Sequence, residues 1–558
     1  MAMAMATAIK EGVPRCSARR ARGGSRHLTW AVGMSTALLA PPVWAQLGLN
    51  PGLIPSPGWL ISPALSVSEI YTDNVQLAPA GSQRTEWVTT VSPSVTVAAT
   101  GARLRLNVNY APQILYRLNE GSKDAAFHNL TATGNSELVR QLLFVDASAN
   151  TYQTNTSILG TQAPGPQAVS NIYQTGNRTT ASAFNISPYL RHKFGSDAEG
   201  VARLTYSAVS FSAVEGSTVA PPANTHQTGV SLGLASGPAY KLYTWNVGYS
   251  RRTLSSSSPG QQETTTESIR ANGTRLLTYQ LALVTAMGYT KSNYQTINAA
   301  NNQGKFTSYG LRWSPTPRTS LQGTLGQSYY GNNRGLDFSH RSGLTVWSAN
   351  YSESISTTHS QYASPVTVST ADFLSPLSQF SSISDPGARD QAIKDYIAKN
   401  SLPPSLVVSR NLSTDQTYLT RALRASAGFI GVRNTVLASA YRSRNENQST
   451  VTTAASAGDF AQSASNTLTG VNLSWNTRLS PRANARMSLS YTRNEFPGNG
   501  VTVVDRVDRT KYAEVAVVRD FAKSSSGTLY YHKAQTDSSQ TGASYSENAF
   551  GARLIVRF

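Results

Sequence analysis

The side chains that most often perform catalysis or bind metals are few and scattered in this chain. Its seven histidines have no spacing that suits a metal, and no two lie four residues apart. They are His27, His128, His192, His226, His340, His359 and His532. No Gly-x-Ser-x-Gly sequence stands between a strand and a helix as a nucleophile turn would. Asp505 and Asp508 share a polar loop, where solvated carboxylates are expected rather than an acid/base pair. The sequence therefore predicts no enzyme, cofactor or metal site.

Basic side chains are the chemistry that the sequence does offer. Lys and Arg total 48 against 29 Asp and Glu, which gives a formal net charge of +19. Nine basic residues lie on the polar face of predicted strands, close to a short turn or to the C-terminus: Arg103, Arg105, Arg191, Lys193, Arg203, Arg482, Arg486, Arg553 and Arg557. If the strands close into a barrel, these residues point into its lumen. A ring of Arg and Lys at a narrow opening concentrates anions.

Alternation with a period of two is the signal that places these residues on strands. From Ala102 to Tyr116, apolar residues fill nearly every even position, while Arg and Asn fill most of the odd ones. The chain ends on a strand of the same kind, with Phe550, Ala552, Leu554, Val556 and Phe558 on one face. An alternating strand that stops on Phe is typical of the C-terminal assembly signal of bacterial outer-membrane barrels.

The connectors between the predicted strands alternate in length, as they do in bacterial barrels with short periplasmic turns and longer outer loops. The short turns lie near 100–101, 195–197, 237–238, 315–317 and 480–481. The longer polar loops lie at 157–176, 214–225, 254–262, 448–463 and 497–507. About 21 segments can be counted, with Ser339 to Ser352 as one of them. Since such barrels have an even number of strands, we expect 20 to 22 and place the miscounted strand within 354–415.

The stretch 354–415 breaks the strand pattern and is predicted to be a long insertion. Asp385-Pro386 is a favourable helix start, and Leu402-Pro403-Pro404 would end the helix. We therefore predict one short amphipathic helix over 385–400. A loop cap is the preferred interpretation, and a lumen plug or a helix that docks a partner are the alternatives.

The first 45 residues have the composition of an export signal. Six basic residues and one acid precede a short apolar stretch, Leu28 to Ala40, and Val43-Trp44-Ala45 is a suitable cleavage site. We therefore predict a signal peptide over 1–45, a periplasmic lead-in over 46–58 and a barrel over 59–558. Cys16, the only cysteine, lies in the signal, so the exported chain would have no thiol. Charged residues make up only 14% of the chain, against about 25% in ordinary globular domains.

Several passages resemble the outer-membrane β-barrel proteins of PEP-CTERM/exosortase systems in Gram-negative bacteria. They are 61–75, 313–321, 339–341, 346–353, the helix start at 385–386, and 433–435. The resemblance covers most of residues 59–558. It implies an outer-membrane location and an association with exopolysaccharide production or protein sorting, and it implies no catalytic residues.

The preferred hypothesis is thus an outer-membrane, porin-like, up-and-down antiparallel β-barrel that acts as a pore or as an export component. The nine basic residues would favour anionic solutes, unless they pair with luminal carboxylates or reach towards lipid headgroups. A non-conducting docking barrel is the second hypothesis. A barrel hydrolase is the third, with a serine beside His128, His192 or His532. The expected partners are outer-membrane lipid and lipopolysaccharide, the barrel-assembly machinery and an anionic polysaccharide. Nucleic acid is not expected.

Overall fold

The computed structural model describes residues 58–119, 125–165, 171–294, 296, 302–364, 368–384, 386–399, 402–403, 405–407, 412–450, 458–498 and 504–558. The predicted signal peptide, its cleavage site and residues 46–57 of the lead-in lie outside these ranges. In the described ranges no helix is both long enough and apolar enough to cross a membrane.

The fold is a closed antiparallel β-barrel of 22 crossing strands, at the upper end of the predicted range. Two crossings are interrupted, so 24 segments build the barrel sheet, and a separate two-stranded sheet lies in the long insertion. The barrel closes where the first strand pairs with the last, from Ala64↔Arg557 to Thr72↔Ala549. The barrel segments are β1 Trp59–Thr72, β2 Glu86–Thr100, β3 Leu104–Tyr110, β4 Gln113–Arg117, β5 Ala125–Phe127, β6 Leu130–Val139, β7 Leu143–Asn155, β8 Arg178–Phe194, β9 Ala198–Ala213, β10 Thr225–Ser236, β11 Tyr243–Ser256, β12 Thr264–Leu276, β13 Leu281–Ser292, β14 Gln303–Thr316, β15 Thr319–Ser328, β16 Gly331–Arg341, β17 Thr345–Ser356, β20 Tyr418–Ile430, β21 Asn434–Asn447, β22 Ser465–Ser480, β23 Ala483–Phe496, β24 Arg506–Asp520, β25 Ser525–Ser538 and β26 Tyr545–Arg557.

The predicted strand Ala102 to Tyr116 is one crossing that is interrupted near its middle. It divides into β3 and β4 at Ala111-Pro112, and the next crossing divides into β5 and β6 at His128-Asn129. Pro112 has no N–H to donate to a ladder, which is why proline is found at irregularities of a sheet. The Ala111 N–H instead donates to the Asn129 carbonyl at 2.9 Å, and this bond bridges the two breaks.

Short and long connectors alternate around the barrel and define its two ends. We call one end the short-turn end, because its ten connectors have two to six residues each, from 101–103 to 521–524. The other, the long-loop end, includes 156–177, 214–224, 448–464 and 497–505. One connector at the long-loop end departs from this pattern, because β15 and β16 are joined by Tyr329-Tyr330 alone.

This tight hairpin explains the error in the predicted strand count. The segment predicted as Ser339 to Ser352 is divided by the turn 342–344 into the ends of β16 and β17. The missing strand is therefore β16, and the prediction that it lay within 354–415 was wrong. This hairpin has no long polar loop to mark it, and its turn signal is confined to Gly331, which has a φ of 116°, and the two asparagines that follow.

The outer face of the barrel is apolar, and the inner face is mainly polar. Leu325, Leu529 and Val515 are 68%, 57% and 53% exposed on the outside. Aromatic side chains are exposed towards both rims of this belt. Trp347, Trp475 and Phe558 lie towards the short-turn end, whereas Tyr116, Tyr289 and Tyr491 lie nearer the long loops.

The long insertion between β17 and β20 folds into the lumen rather than over it. It contains α1 Thr358–Ala363, β18 Val368–Ser369, α2 Thr370–Leu374, α3 Ser378–Ser381, α4 Pro386–Lys399 and β19 Ser405–Val407. The predicted helix 385–400 corresponds to α4, but the expectation of a single helix was wrong. We call residues 357–417 the luminal insertion.

Contacts with the inner wall show that the luminal insertion is a plug and not a loop cap. Leu374 and Ile393 belong to one buried cluster with Val346, Ile430 and Leu437 of β17, β20 and β21. The neighbours Trp347 and Phe429 are exposed on the outside, so Val346 and Ile430 point inward. Both inward residues lie beside short turns, so the insertion reaches the short-turn end of the lumen.

Candidate functional site

A cavity of about 1180 Å³ remains between the luminal insertion and the opposite part of the wall. Side chains of β23–β26, β1, β2 and β4 line it on one side, and Leu402 and Pro403 of the insertion close it on another. It runs from Lys523 and Arg557 at the short-turn end to Tyr173 of the loop 156–177.

The part of this cavity near the short turns is basic. Five basic and two acidic residues line the whole cavity, a net charge of +3: Arg482, Arg486, Lys523, Arg553, Arg557, Glu514 and Asp520. Arg553 and Arg557 point inward because they alternate with the outward Leu554 and Phe558. We call Arg482, Lys523, Arg553 and Arg557 the basic mouth.

The basic residues that line the cavity differ in whether they are neutralised. Arg486 donates to Glu514 at 2.5 Å, so its charge is compensated locally. No residue of the basic mouth forms an ion pair with any part of the chain that the structure describes. These four cations are therefore the ones that can attract an anion from solution.

The remaining predicted site residues lie elsewhere. Arg203 donates to Asp146 and to the Ser187 hydroxyl, both at 2.8 Å, and its guanidinium lies 4.0 Å from the Tyr189 ring centroid. Arg191 pairs with Glu199 at 3.4 Å. Both arginines are thus neutralised by luminal carboxylates, which is one of the alternatives given for the nine basic residues.

Three further predicted residues do not line the cavity either. Arg103 lies in the turn 101–103, while Arg105 and Lys193 lie on the polar faces of β3 and β8. The structure therefore brings four of the nine residues together at the cavity: Arg482, Arg486, Arg553 and Arg557. Lys523 was missed, because it lies in the turn 521–524 and not in an alternating segment.

The deeper part of the cavity is held in shape by a buried polar cluster. The His532 imidazole lies 3.0 Å from the Glu547 carboxylate, and the Thr72 hydroxyl donates to the same carboxylate at 2.8 Å. The Tyr173 hydroxyl also donates to Glu547, at 3.1 Å. Burial raises the pKa of Tyr173 well above its ordinary value, so its hydroxyl keeps the proton that it donates. The cluster fixes the loop 156–177 against β25 and β26.

A serine and a histidine do meet in this molecule, but not as a catalytic pair. The Ser207 hydroxyl lies 2.6 Å from Nε2 of His359, whose Nδ1 lies 2.9 Å from the Thr225 hydroxyl. Ser207 and His359 are only 3% and 2% exposed, so a substrate cannot reach either. Burial lowers the pKa of His359 to about 4, so a neutral ring anchors α1 to β9 and β10. His128 bonds to Tyr110 and His532 belongs to the Glu547 cluster.

No group of His, Cys, Asp and Glu among the described residues is arranged to hold a metal ion. The site is therefore a lumen with a basic mouth, an internal insertion and a rigid polar interior. The fold and the site together define the class of protein: a large β-barrel with a plugged lumen.

Comparisons with known proteins add little to this class. Neither a protein-family model nor a curated protein matches the chain. Among solved structures, the chain is similar to the FrpB iron transporter from Neisseria meningitidis (F5-1 variant), with 9% identity and a TM-score of 0.48 over 89% of this chain and 82% of that one.

Two other solved structures are similar at the same low level. The siderophore receptor PirA from Acinetobacter baumannii has 10% identity and a TM-score of 0.45, over 89% of this chain and 80% of that one. The outer membrane protein opdK from Pseudomonas aeruginosa has 8% identity and a TM-score of 0.34, over 89% of this chain and 99% of that one. Because these TM-scores are below 0.5, the class rests on the strand pairing of this chain alone.

Proposed function

We propose that this protein is a bacterial outer-membrane barrel whose lumen takes up anionic solutes at its short-turn end. A closed barrel pairs every backbone group of its wall, and this makes it one of the few structures that lipid tolerates. The apolar outer belt and the aromatic rims support that location. Short turns are periplasmic in bacterial barrels, so the basic mouth would face the periplasm. Delivery would use the predicted signal peptide, and assembly would use the last strand.

The single observation that carries the solute class is the basic mouth. Its four cations share one cavity and have no partner carboxylate in the described chain. Charges of one sign in a confined, low-dielectric opening raise the local concentration of counter-ions. The lining also offers amide and phenol groups deeper in the cavity, such as Gln153, Asn171 and Tyr512. A negatively charged saccharide would bind the basic mouth through its charge and the deeper amide and phenol groups through its hydroxyls. This agrees with the exopolysaccharide association that the family resemblance implies.

The luminal insertion favours a second candidate function, a barrel that docks a partner and does not conduct. The insertion occupies the lumen against β17, β20 and β21, and α1 is anchored on the other side at β9 and β10. An enzyme remains the third candidate, and the buried Ser207 and His359 give it no support.

Reversal potentials in planar bilayers with a salt gradient test the proposal. For the wild-type protein we expect anions to be preferred by about ten-fold, the scale of a surface potential of a few kT. The variant Arg482→Gln/Lys523→Gln/Arg553→Gln/Arg557→Gln should reduce the preference to about one. Arg191→Gln/Arg203→Gln is the matched control: it removes basic residues that are already paired and leaves their carboxylates, so the preference should fall by no more than about two-fold.

Two results would contradict the proposal. Equal selectivity of the wild type and the fourfold variant would show that the basic mouth does not act on solutes. Absence of any conductance, also after partial removal of the luminal insertion, would favour the docking barrel. The link to exopolysaccharide has a separate test, which is the amount of extracellular polysaccharide after deletion of the gene.

A further inference from the structure

The outer face of the barrel carries a band of basic side chains just beyond its apolar belt, towards the long loops. The band comprises Arg421 of β20, Arg442 and Arg444 of β21, Arg493 of β23, and Arg509 and Lys511 of β24. We call these six residues the outer basic band. None of them belongs to the lumen or to its cavity.

The direction of these side chains follows from the alternation of each strand. Arg421 lies two residues from the exposed Leu423, and Arg493 lies two residues from the exposed Tyr491. On β21, Leu437 and Tyr441 are buried on the inner face, so Arg442 and Arg444 alternate to the outside. The band therefore begins where the apolar surface ends, which is the level of lipid headgroups.

Within the band, like charges face each other across neighbouring strands. Arg421 is directly opposite Arg444, and Arg493 is directly opposite Arg509. Like charges in this position destabilise an antiparallel pair. Four carboxylates on the same face relieve the repulsion in part: Glu353, Glu446, Glu495 and Asp537. In the described chain, neither Arg442 nor Arg509 forms an ion pair, although Asp537 is directly opposite Arg509 and contacts Lys511.

The opposite side of the barrel shows what a compensated surface looks like at the same level. There Arg251 is directly opposite Glu267, and Glu267 is directly opposite Lys291. The order of charges is plus, minus, plus, and Arg251 contacts Glu267 at 3.4 Å. On that side both cations are directly opposite Glu267 and neither faces another cation. In the outer basic band, by contrast, Arg421 and Arg509 each face a carboxylate on one neighbouring strand and an arginine on the other.

We propose that the outer basic band binds the phosphorylated headgroup of a glycolipid in the outer leaflet of the membrane. The inference rests on the outer-membrane location proposed above. A phosphate is the anion that a guanidinium binds best, through two parallel N–H···O bonds. A headgroup anchored in the same membrane reaches the band at a high effective concentration. One phosphate between Arg493 and Arg509 would turn their repulsion into a bridge, and Arg442 is a neighbour of Arg493 across β22.

The test uses the full-length barrel in detergent and lipid A, an acylated disaccharide with two phosphates, as the probe. Native mass spectrometry gives the dissociation constants for lipid A and for its dephosphorylated form. We expect the wild-type protein to prefer the phosphorylated form by about ten-fold or more. Arg442→Gln/Arg509→Gln should weaken lipid A binding by about 25-fold, since each basic residue near an anionic surface contributes about five-fold. Arg251→Gln/Lys291→Gln is the matched control and should change the affinity less than about two-fold.

A second measurement separates binding from folding. Without lipid A, Arg509→Gln should change the Tm little, because it removes both the repulsion from Arg493 and the attraction of Asp537, which face Arg509 on the two neighbouring strands. With lipid A, the same variant should have a lower Tm than the wild type. Equal affinity for the two lipid forms, an equal loss in the control, or full competition by inorganic pyrophosphate would each overturn the proposal. Failure of the barrel to insert into bilayers would instead refute the proposed location, so the two failures can be told apart.

Discussion

The two sides of the lumen carry the same kind of side chain in different electrostatic settings. On β8 and β9, Arg191 and Arg203 are paired with Glu199 and Asp146. On the side of β23–β26, the basic mouth has no such partners. The field of a cation with a carboxylate 3 Å away is largely cancelled at longer range. Only the side of β23–β26 can therefore give the cavity a positive potential, although the strands of both sides have the same alternating sequence pattern.

A loop connects these two sides. The segment 156–177 leaves the barrel between β7 and β8, on the paired side, and its Tyr173 bonds to Glu547 of β26. The same loop contacts Asp459 of the loop 448–464 through the Ser157 hydroxyl. The paired side thus supplies the cover of the cavity, while the other side supplies its charge. Three changes test this division of roles.

The largest effect is expected when most of the luminal insertion is removed. Gln361 and Leu412 exchange two hydrogen bonds, at 2.9 and 3.2 Å, so the ends of a deletion of 365–411 lie close together. A short Gly/Ser linker can replace the segment and leave α1 in place. We expect single-channel conductance to rise roughly ten-fold, because a 22-stranded barrel without its filling encloses a wide lumen. The anion preference should fall, since the wider lumen weakens the field of the basic mouth. An unchanged conductance would show that the loop 156–177 closes the lumen by itself.

The alternation of side chains predicted much of this fold. It placed Arg553 and Arg557 on the inner face of the last strand. The Gly, Pro and polar residues between the alternating segments identified the short turns and the longer loops. The alternation failed at Tyr329-Tyr330, because no long polar loop separates these two strands and the turn signal is confined to Gly331 and the two asparagines that follow it. The alternation also cannot predict which side chains pair across strands, because the registers that bring Asp146 near Arg203 depend on the closure of the whole sheet.

The sequence also could not predict where the long insertion packs. Ile393, Tyr396 and Ile397 indicate an apolar face of α4, but any apolar partner would satisfy that face. Only the three-dimensional wall shows that Val346, Ile430 and Leu437 provide it. Lys523 was missed because it lies in the middle of a turn, where alternation assigns no direction. Arg482 also lies in a turn, but it directly precedes β23 and continues the alternation of that strand.

A smaller effect is expected when the carboxylates that pair with Arg191 and Arg203 are removed. Asp146→Asn/Glu199→Gln removes both partner carboxylates and leaves Arg191 and Arg203 uncompensated. We expect the anion preference to rise by about two-fold, because these arginines lie farther from the cavity and their field is screened by salt. The lost pairs are partly exposed, so the cost in stability should be at most about 1 kcal/mol. Reversal potentials measure the change, with Glu267→Gln on the outer face as the control. A preference equal to that of the wild type would mean that solutes never approach this side.

The smallest effect on solute passage is expected at Asp459, which fastens the loop from the paired side and acts on stability. Its carboxylate accepts from the Ser157 hydroxyl and, at 2.7 Å, from the Ser413 N–H, and Tyr418 lies near it. Burial raises the pKa of Asp459 from its ordinary 3.8 to about 6. The folded state therefore binds the proton more tightly than the unfolded state, so this contribution to stability is complete below pH 3.8 and lost as the pH rises through 6. It amounts to about 3 kcal/mol at most. Thermal unfolding between pH 3.5 and 7 should show a larger loss of stability in the wild type than in Asp459→Asn, which lacks this carboxyl group and keeps the other titrating groups. If both proteins followed the same pH profile, the attachment of the loop would not depend on this carboxyl group, and the pairing of Tyr173 with Glu547 would be the contact that holds the two sides together.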